Sequence, residues 1–231
     1  MRLLAIDTAT EALSVALDDD GRQVAHRFQV IGRGHAEATL PWIHELLHEV
    51  GWTLQSIGAI AVGRGPGAFT GVRIGVSVAQ GLALGLEVPV IGISDLEAVA
   101  VAAARRAQQS GVLADTVLVA LDARMGEVYA AEGRISGDAV EMCWEALCAP
   151  GDLRQRVAAD ARLVVAGHGF SAYPDLAAGF ATALACYPDQ LPDAAVIAEL
   201  GRVALRAGLG VDAAALAPVY LRDEVATRSG R

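Results

Sequence analysis

Leu3–Leu17 reads LLAIDTATEALSVAL, and Leu118–Glu132 reads LVALDARMGEVYAAE. Laid over one another without a gap, Asp7 falls on Asp122, Leu13 on Val128 and Val15 on Ala130. Each stretch is an apolar strand ending in an aspartate, a short polar turn and a second strand. Each then passes a turn, Asp18–Gly21 or Ser136–Asp138, into a third strand at Gln23–Phe28 or Ala139–Trp144. A helix is expected next, at His35–Val50 in the first half and Gly151–Ala159 in the second. An apolar strand then runs into Gly-x-Gly: Ile57–Val62 before Gly63-Arg64-Gly65, and Leu163–Ala166 before Gly167-His168-Gly169. The order β-β-β-α-β-α thus occurs twice, the mark of an internal duplication.

Two such units side by side enclose a cleft, with their aspartate-bearing turns facing one another. The fold class is therefore α/β, of the actin-like and Hsp70-like ATPase type with its ribonuclease H-like units. The expected division is a first subdomain at 1–108 and a smaller second one at 109–192, with 193–225 packing back on the first. Ser94-Asp95-Leu96-Glu97 reads as a capping box opening an alanine-rich helix to about Gln109. Asp193 is the expected cap of a last helix through Ala207. Pro218–Arg222 is expected to fold back on the first half, leaving Ala226–Arg231 as a frayed tail.

Composition narrows the function. Hydrophobic residues make up 54% of the 231 and aromatics only 5%, so Ala, Val, Leu and Gly must build a close-packed interior. A net charge of −9 argues against autonomous nucleic-acid binding, which needs clustered Lys and Arg. Cys143, Cys148 and Cys186 form no CxxC pair, which fits a reducing cytoplasm. Asp7 comes too early for a signal peptide. Ile74–Ile93 has the length of a membrane span, but Gln80, Glu87 and Pro89 interrupt it, and a helix followed by a strand explains it better.

The richest local signal is Gly63–Gly75, GRGPGAFTGVRIG, a turn from a buried strand into a helix expected at Val72–Leu86. Such a turn presents backbone N–H groups at a helix N-terminus, where an anion or a close-packed neighbour can sit. No lysine follows in the G-x-x-x-x-G-K-[ST] spacing, so a Walker site is excluded. In the cleft, Asp7 and Asp122 are candidates to hold Mg²⁺ near phosphates, with Asp7 capping its own turn as the alternative. Thr8, Gly65, Gly67 and Gly167 complete a candidate nucleotide or anion cleft of vestigial character.

His44-Glu45-Leu46-Leu47-His48 matches H-E-x-x-H, the zinc-protease pattern, with both histidines on one helix face. Glu49–Trp52 supplies no third ligand, and the same helix carries the apolar stripe Leu40, Ile43, Leu47 and Val50. Surface or interface histidines are the preferred reading, and no metal site is assigned. The helix after the glycine loop repeats small residues at Gly71 and Gly75 and again at Gly81 and Gly85, a spacing that lets another helix approach closely, with packing inside the chain as the default. With Val78 and Leu82 and the stripe on the earlier helix, it forms a candidate subunit interface.

IDTAT (Ile6–Thr10), GRGPGAFTGVRIG, LDARMGEVYAA (Leu121–Ala131) and PVYLR (Pro218–Arg222) together closely resemble the TsaB (YeaZ) family over nearly the whole chain. Ala68 stands where that family usually has Ser. The resemblance implies a non-catalytic cytoplasmic subunit of the machinery that makes N6-threonylcarbamoyladenosine in tRNA. It implies pairing with the catalytic subunit TsaD, joined by the ATPase TsaE, self-pairing in isolation, and tRNA contact only through the complex. The metal-binding H-x-x-x-H of TsaD-type sequences would fall here on Asp95 and Val99, which removes that site. No cofactor is required on this reading, while weak ATP or ADP binding in the cleft stays open. The competing readings are an autonomous ATP-binding enzyme of the kinase-like superfamily and, more remotely, the zinc protease.

Overall fold

The computed structural model describes residues 1–222. The first half lays down β1 (Arg2–Asp7), β2 (Ala12–Asp19), β3 (Arg22–Val30), α1 (His35–Glu49), β4 (Ala59–Gly63), α2 (Phe69–Leu86), β5 (Val90–Ile93) and α3 (Asp95–Gln109). The second lays down β6 (Thr116–Arg124), β7 (Glu127–Ser136), β8 (Ala139–Cys148), α4 (Leu153–Arg156), β9 (Leu163–Ala166), α5 (Gly169–Ala172), α6 (Pro174–Gly179), β10 (Ala185–Tyr187) and α7 (Ala194–Arg206).

The two sheets have one topology, β3-β2-β1-β4-β5 and β8-β7-β6-β9-β10. In each, an antiparallel meander supplies three strands and two parallel strands complete the other side. β1 pairs Asp7 with Ser14, and β6 pairs Asp122 with Val128, so the duplication read from sequence is one of strand order and pairing, with the second hairpin shifted by one residue at a bulge between Asp122 and Arg124. β1 and β4 are buried almost throughout, as expected of inner strands covered on both faces.

Helices then separate the halves. α2 lays Val72, Val76, Ala79 and Ala83 on the first core, a stripe at helical spacing. It begins three residues earlier than the sequence suggested, with Ala68 as an N-cap that offers no side-chain bond. Among the described residues it is the one helix long and apolar enough to cross a membrane, yet this stripe is packed on a sheet.

α3 corrects the expected boundary at residue 108. Its Leu96, Val99, Ala100, Ala103 and Ala107 pack with Val117, Val119 and Leu121 of the second sheet. Alanines permit this because they let the helix lie close to the strands, with Ala98 still touching the first half's core. α7, by contrast, comes from the second half of the chain and packs Ala194, Ile197 and Ala198 on the first sheet. Each half therefore contributes a helix to the other, and Arg105 of α3 meets Glu199 of α7 at 2.7 Å. The helix expected at Gly151–Ala159 shrinks to a 3₁₀ turn at Pro150–Asp152 followed by α4. Residues 223–225 of the returning segment, and the tail from Ala226, lie outside the described residues.

Beyond α7 the chain crosses between the halves. Gln80 donates to the carbonyls of Ala213 and Leu216, and the Val219 amide donates to the Arg64 carbonyl. Leu221 packs with the second core, and Arg222 pairs with Glu127 at 2.7 Å while donating to the Ala123 carbonyl.

Candidate functional site

A cavity of about 690 Å³ opens between the halves. Its walls are Ala9–Glu11 after β1, the Gly32–Glu37 entry to α1, and Gly67–Gly71 at the start of α2. Facing them are Leu121–Met125, His168, and Tyr220 and Arg222 of the returning segment. The duplication thus places a cleft where the sequence put one. Of the six residues assigned to it, Gly67 and Asp122 line the wall, and Asp7, Thr8, Gly65 and Gly167 do not.

The reasons are physical. Asp7 is fully buried, and its Oδ1 accepts the Ala9 amide at 3.1 Å. Its Oδ2 has no donor among the described residues and faces Asp95, equally buried, a contact with no signature in the sequence. Thr8 spends its hydroxyl on the Gly71 carbonyl at 2.7 Å. Gly65 is held against the Val219 carbonyl and Gly167 against the Ala120 carbonyl, so neither presents a surface to the cavity.

Asp122 keeps a tenth of its side-chain surface, but its Oδ1 accepts the Arg124 amide and the Tyr173 hydroxyl, both at 2.9 Å. Its Oδ2 pairs with the Arg124 guanidinium at 3.1 Å. Mg²⁺ beside a nucleotide needs accessible carboxylate oxygens with room for its waters. Asp7 has none, so the acid pair does not fit that ion. His168 lies across from Glu11, 4.0 Å away. Burial pushes its imidazole below the usual range, while Glu11 and Asp122 pull it back up.

The candidate interface also divides. Ile43 and Leu47 point into the first core, and Val50, Val78 and Leu82 pack partly against it. Gly71 and Gly75 are turned inward as well: a Cβ on Gly71 would collide with the Thr8 carbonyl, and one on Gly75 would come within 2.6 Å of Thr8 Oγ1. Their small size admits the protein's own β1 turn, which corrects their assignment to a partner. Leu40 remains outside, half exposed. On α2 the outward face is Leu84, 73% exposed, with Gly81 and Gly85, both open to solvent. His44 and His48 are exposed, Glu45 is tied to Arg27, and among the described residues no three His, Cys, Asp or Glu side chains could hold a metal.

One further cluster is invisible in the sequence. Ser14, His26 and Asp193 meet, with His26 Nε2 2.7 Å from Asp193 Oδ1 and 3.4 Å from Ser14 Oγ. A nucleophile relay needs the two partners on different ring nitrogens; here they share one. Ser14 Oγ also accepts the Ala194 amide, and Asp193 accepts the Ala195 amide, so the cluster caps α7 and ties it to β2 and β3. Burial works to raise the Asp193 pKa, but the bonds from His26, Ala195 and Ser14 outweigh it and hold it below the usual range.

The chain is 42% identical over 232 residues to the tRNA threonylcarbamoyladenosine biosynthesis protein TsaB of Escherichia coli, covering 98% of this chain and 96% of that one. The chain belongs to the TsaB (YeaZ) family. The Haemophilus influenzae protein of the same name is 38% identical over 97% of this chain and 95% of its own length. YeaZ of Pseudomonas aeruginosa superposes with a TM-score of 0.79 at 40% identity, covering 95% of this chain and 99% of that structure. A family model described as "TsaD: tRNA N6-adenosine threonylcarbamoyltransferase" matches residues 29–229, so the family shares sequence with that enzyme. The activator of 2-hydroxyisocaproyl-CoA dehydratase from Clostridium difficile, solved with bound ADPNP, superposes at a TM-score of 0.52 and 12% identity, covering 90% of this chain and 97% of that one. That likeness is one of fold, and the fold is the actin-like one. The curated relatives are named for tRNA threonylcarbamoyladenosine biosynthesis, which sets the pathway of the family.

Proposed function

We propose that this chain is a non-catalytic, cytoplasmic subunit of the tRNA N6-threonylcarbamoyladenosine machinery, pairing with TsaD as an activator and joined by TsaE. The observation that carries the reading is the pairing of family membership with an outward helix face. Leu40 on α1 and Gly81, Leu84 and Gly85 on α2 offer an apolar, small-residue surface that a second helix pair can approach closely. The same surface serves self-pairing in isolation. The acid pair supports the non-catalytic role, because Asp7 is sealed away from the cleft. No cofactor is required, and tRNA is met through the complex, in keeping with the net charge of −9.

Reconstitution with TsaD, TsaE, ATP, substrate tRNA and threonylcarbamoyl-adenylate as the donor tests the reading. Modification is expected with this chain present and not without it, and this chain alone is expected to turn over nothing. Leu40→Asp and Gly85→Trp are expected to abolish pairing in size-exclusion chromatography while the monomer stays folded. Unchanged pairing in both variants would remove this surface from the proposal. Calorimetry with Mg-ATP on the isolated chain tests the competing enzyme reading: micromolar binding would favour it.

A further inference from the structure

Asp7 ends β1 in the first half, and Asp95 opens α3, whose helix packs on the second sheet. Both are fully buried and meet at the joint between the halves. Each carboxyl has one oxygen accounted for: Asp7 Oδ1 accepts the Ala9 amide, and Asp95 Oδ2 accepts the Gly65 amide. The other two oxygens, Asp7 Oδ2 and Asp95 Oδ1, have no other donor among the described residues. Gly63 passes between them with no side chain, and a Cβ there would collide with both oxygens. Two ionised carboxylates facing each other in a dry interior repel strongly, and one shared proton turns the contact into a hydrogen bond.

We propose that Asp7 and Asp95 share a single proton at neutral pH, and that this proton locks α3, the helix that packs on the second sheet, to the glycine loop of the first half. The surrounding charges do not substitute for it. Asp193 at the α7 cap and Glu145 on β8 add negative charge, which His35 on α1 opposes near Asp7. Burial raises both carboxyls, and Asp7 drives Asp95 further, well above the ordinary carboxylate range. The lock reaches the surface proposed for partners, because the loop it holds, Gly63–Gly67, leads directly into α2. It stands independently of which partner the chain takes.

The native state then holds a proton that the unfolded chain releases above a pH of about 4. Its contribution to stability is full below that point and is lost as pH rises toward the raised pKa of the pair. Asp95→Asn imitates the protonated acid, since its amide can donate to Asp7 while its oxygen accepts the Gly65 amide. Denaturant unfolding of the wild type and Asp95→Asn should be compared between pH 6 and pH 8. The ratio of their unfolding constants, wild type over variant, is expected to rise about tenfold per pH unit. Titrating groups outside the pair are common to both proteins and cancel, and in Asp95→Asn the amide donor holds Asp7 in its ionised form. A flat ratio overturns the proposal. Carboxyl ¹³C NMR on aspartate-labelled wild type gives the same answer without a variant: one proton retained by the pair at pH 7 supports it, and two ionised carboxylates overturn it.

Discussion

At the end of β1, Asp7 lies beneath its own turn, roofed by the start of α2 and met by Asp95 of α3. Near the end of β6, Asp122 occupies the matching place in the second unit and stays on the cleft wall, held by Arg124 and Tyr173. The strand order and pairing are alike, though the second hairpin carries a bulge that shifts its register by one residue; the helices beyond them differ more. After Gly63-Arg64-Gly65 the chain forms an 18-residue helix, whereas after Gly167-His168-Gly169 it forms helices of four and six residues. The long helix closes down on the first aspartate's turn through Gly71 and Gly75, and in closing leaves its far side as a free surface. A duplicated unit thus became a half that seals its aspartate and a half that leaves its aspartate on the cleft wall.

The contrast between the two faces of α2 should break first. Gly75→Trp is expected to cost about 3 kcal/mol or more, because the inward face has no room and overpacking displaces β1. Gly85→Trp, with nothing near its Cβ, should change stability by less than about 1 kcal/mol. Urea unfolding of the two variants reads the difference, and equal effects would deny the inward and outward assignment.

The aspartates come next. Asp7→Ala strands the Ala9 amide and deprives Asp95 of its partner, at an expected cost of about 2–4 kcal/mol. Asp122→Ala loses bonds at the edge of a cleft that water can enter, and should cost about 1 kcal/mol. Reversal of that order in thermal melts would mean that the two halves seal their aspartates equally.

The smallest effect concerns Ala68. It sits at the N-cap of α2 in extended conformation with no side-chain bond to offer, while Asp193 caps α7 through the Ala195 amide. Ala68→Ser is expected to add about 0.5–1 kcal/mol, visible as a higher denaturation midpoint with an unchanged slope.

Much of the fold is legible in the sequence. The repeat specifies the two sheets and their cleft, because apolar strands ending in an aspartate before a polar turn are a local pattern that survives duplication. The helix caps at Ser94 and Asp193 are legible for a related reason, since a cap bonds to amides two or three residues ahead. The candidate site is legible only in part. Gly67 and Asp122 line the cleft, but Asp7, Gly65 and Gly167 carry the same residue types without the same exposure. Helical spacing alone assigns an apolar or small residue to a face; it does not say whether that face meets the protein's own sheet or a partner. Gly71 and Gly75 show this directly.

What the sequence determined by itself was the order of elements, the duplication and the family, all written in local pattern and in residues close along the chain. Only the tertiary structure decided which helix covers which sheet, that Asp95 meets Asp7 across 88 positions of sequence (95 − 7), and that α2 turns its glycines inward. Those outcomes depend on how closely distant backbones approach. Spacing along one chain carries no measure of that distance until the helices have packed.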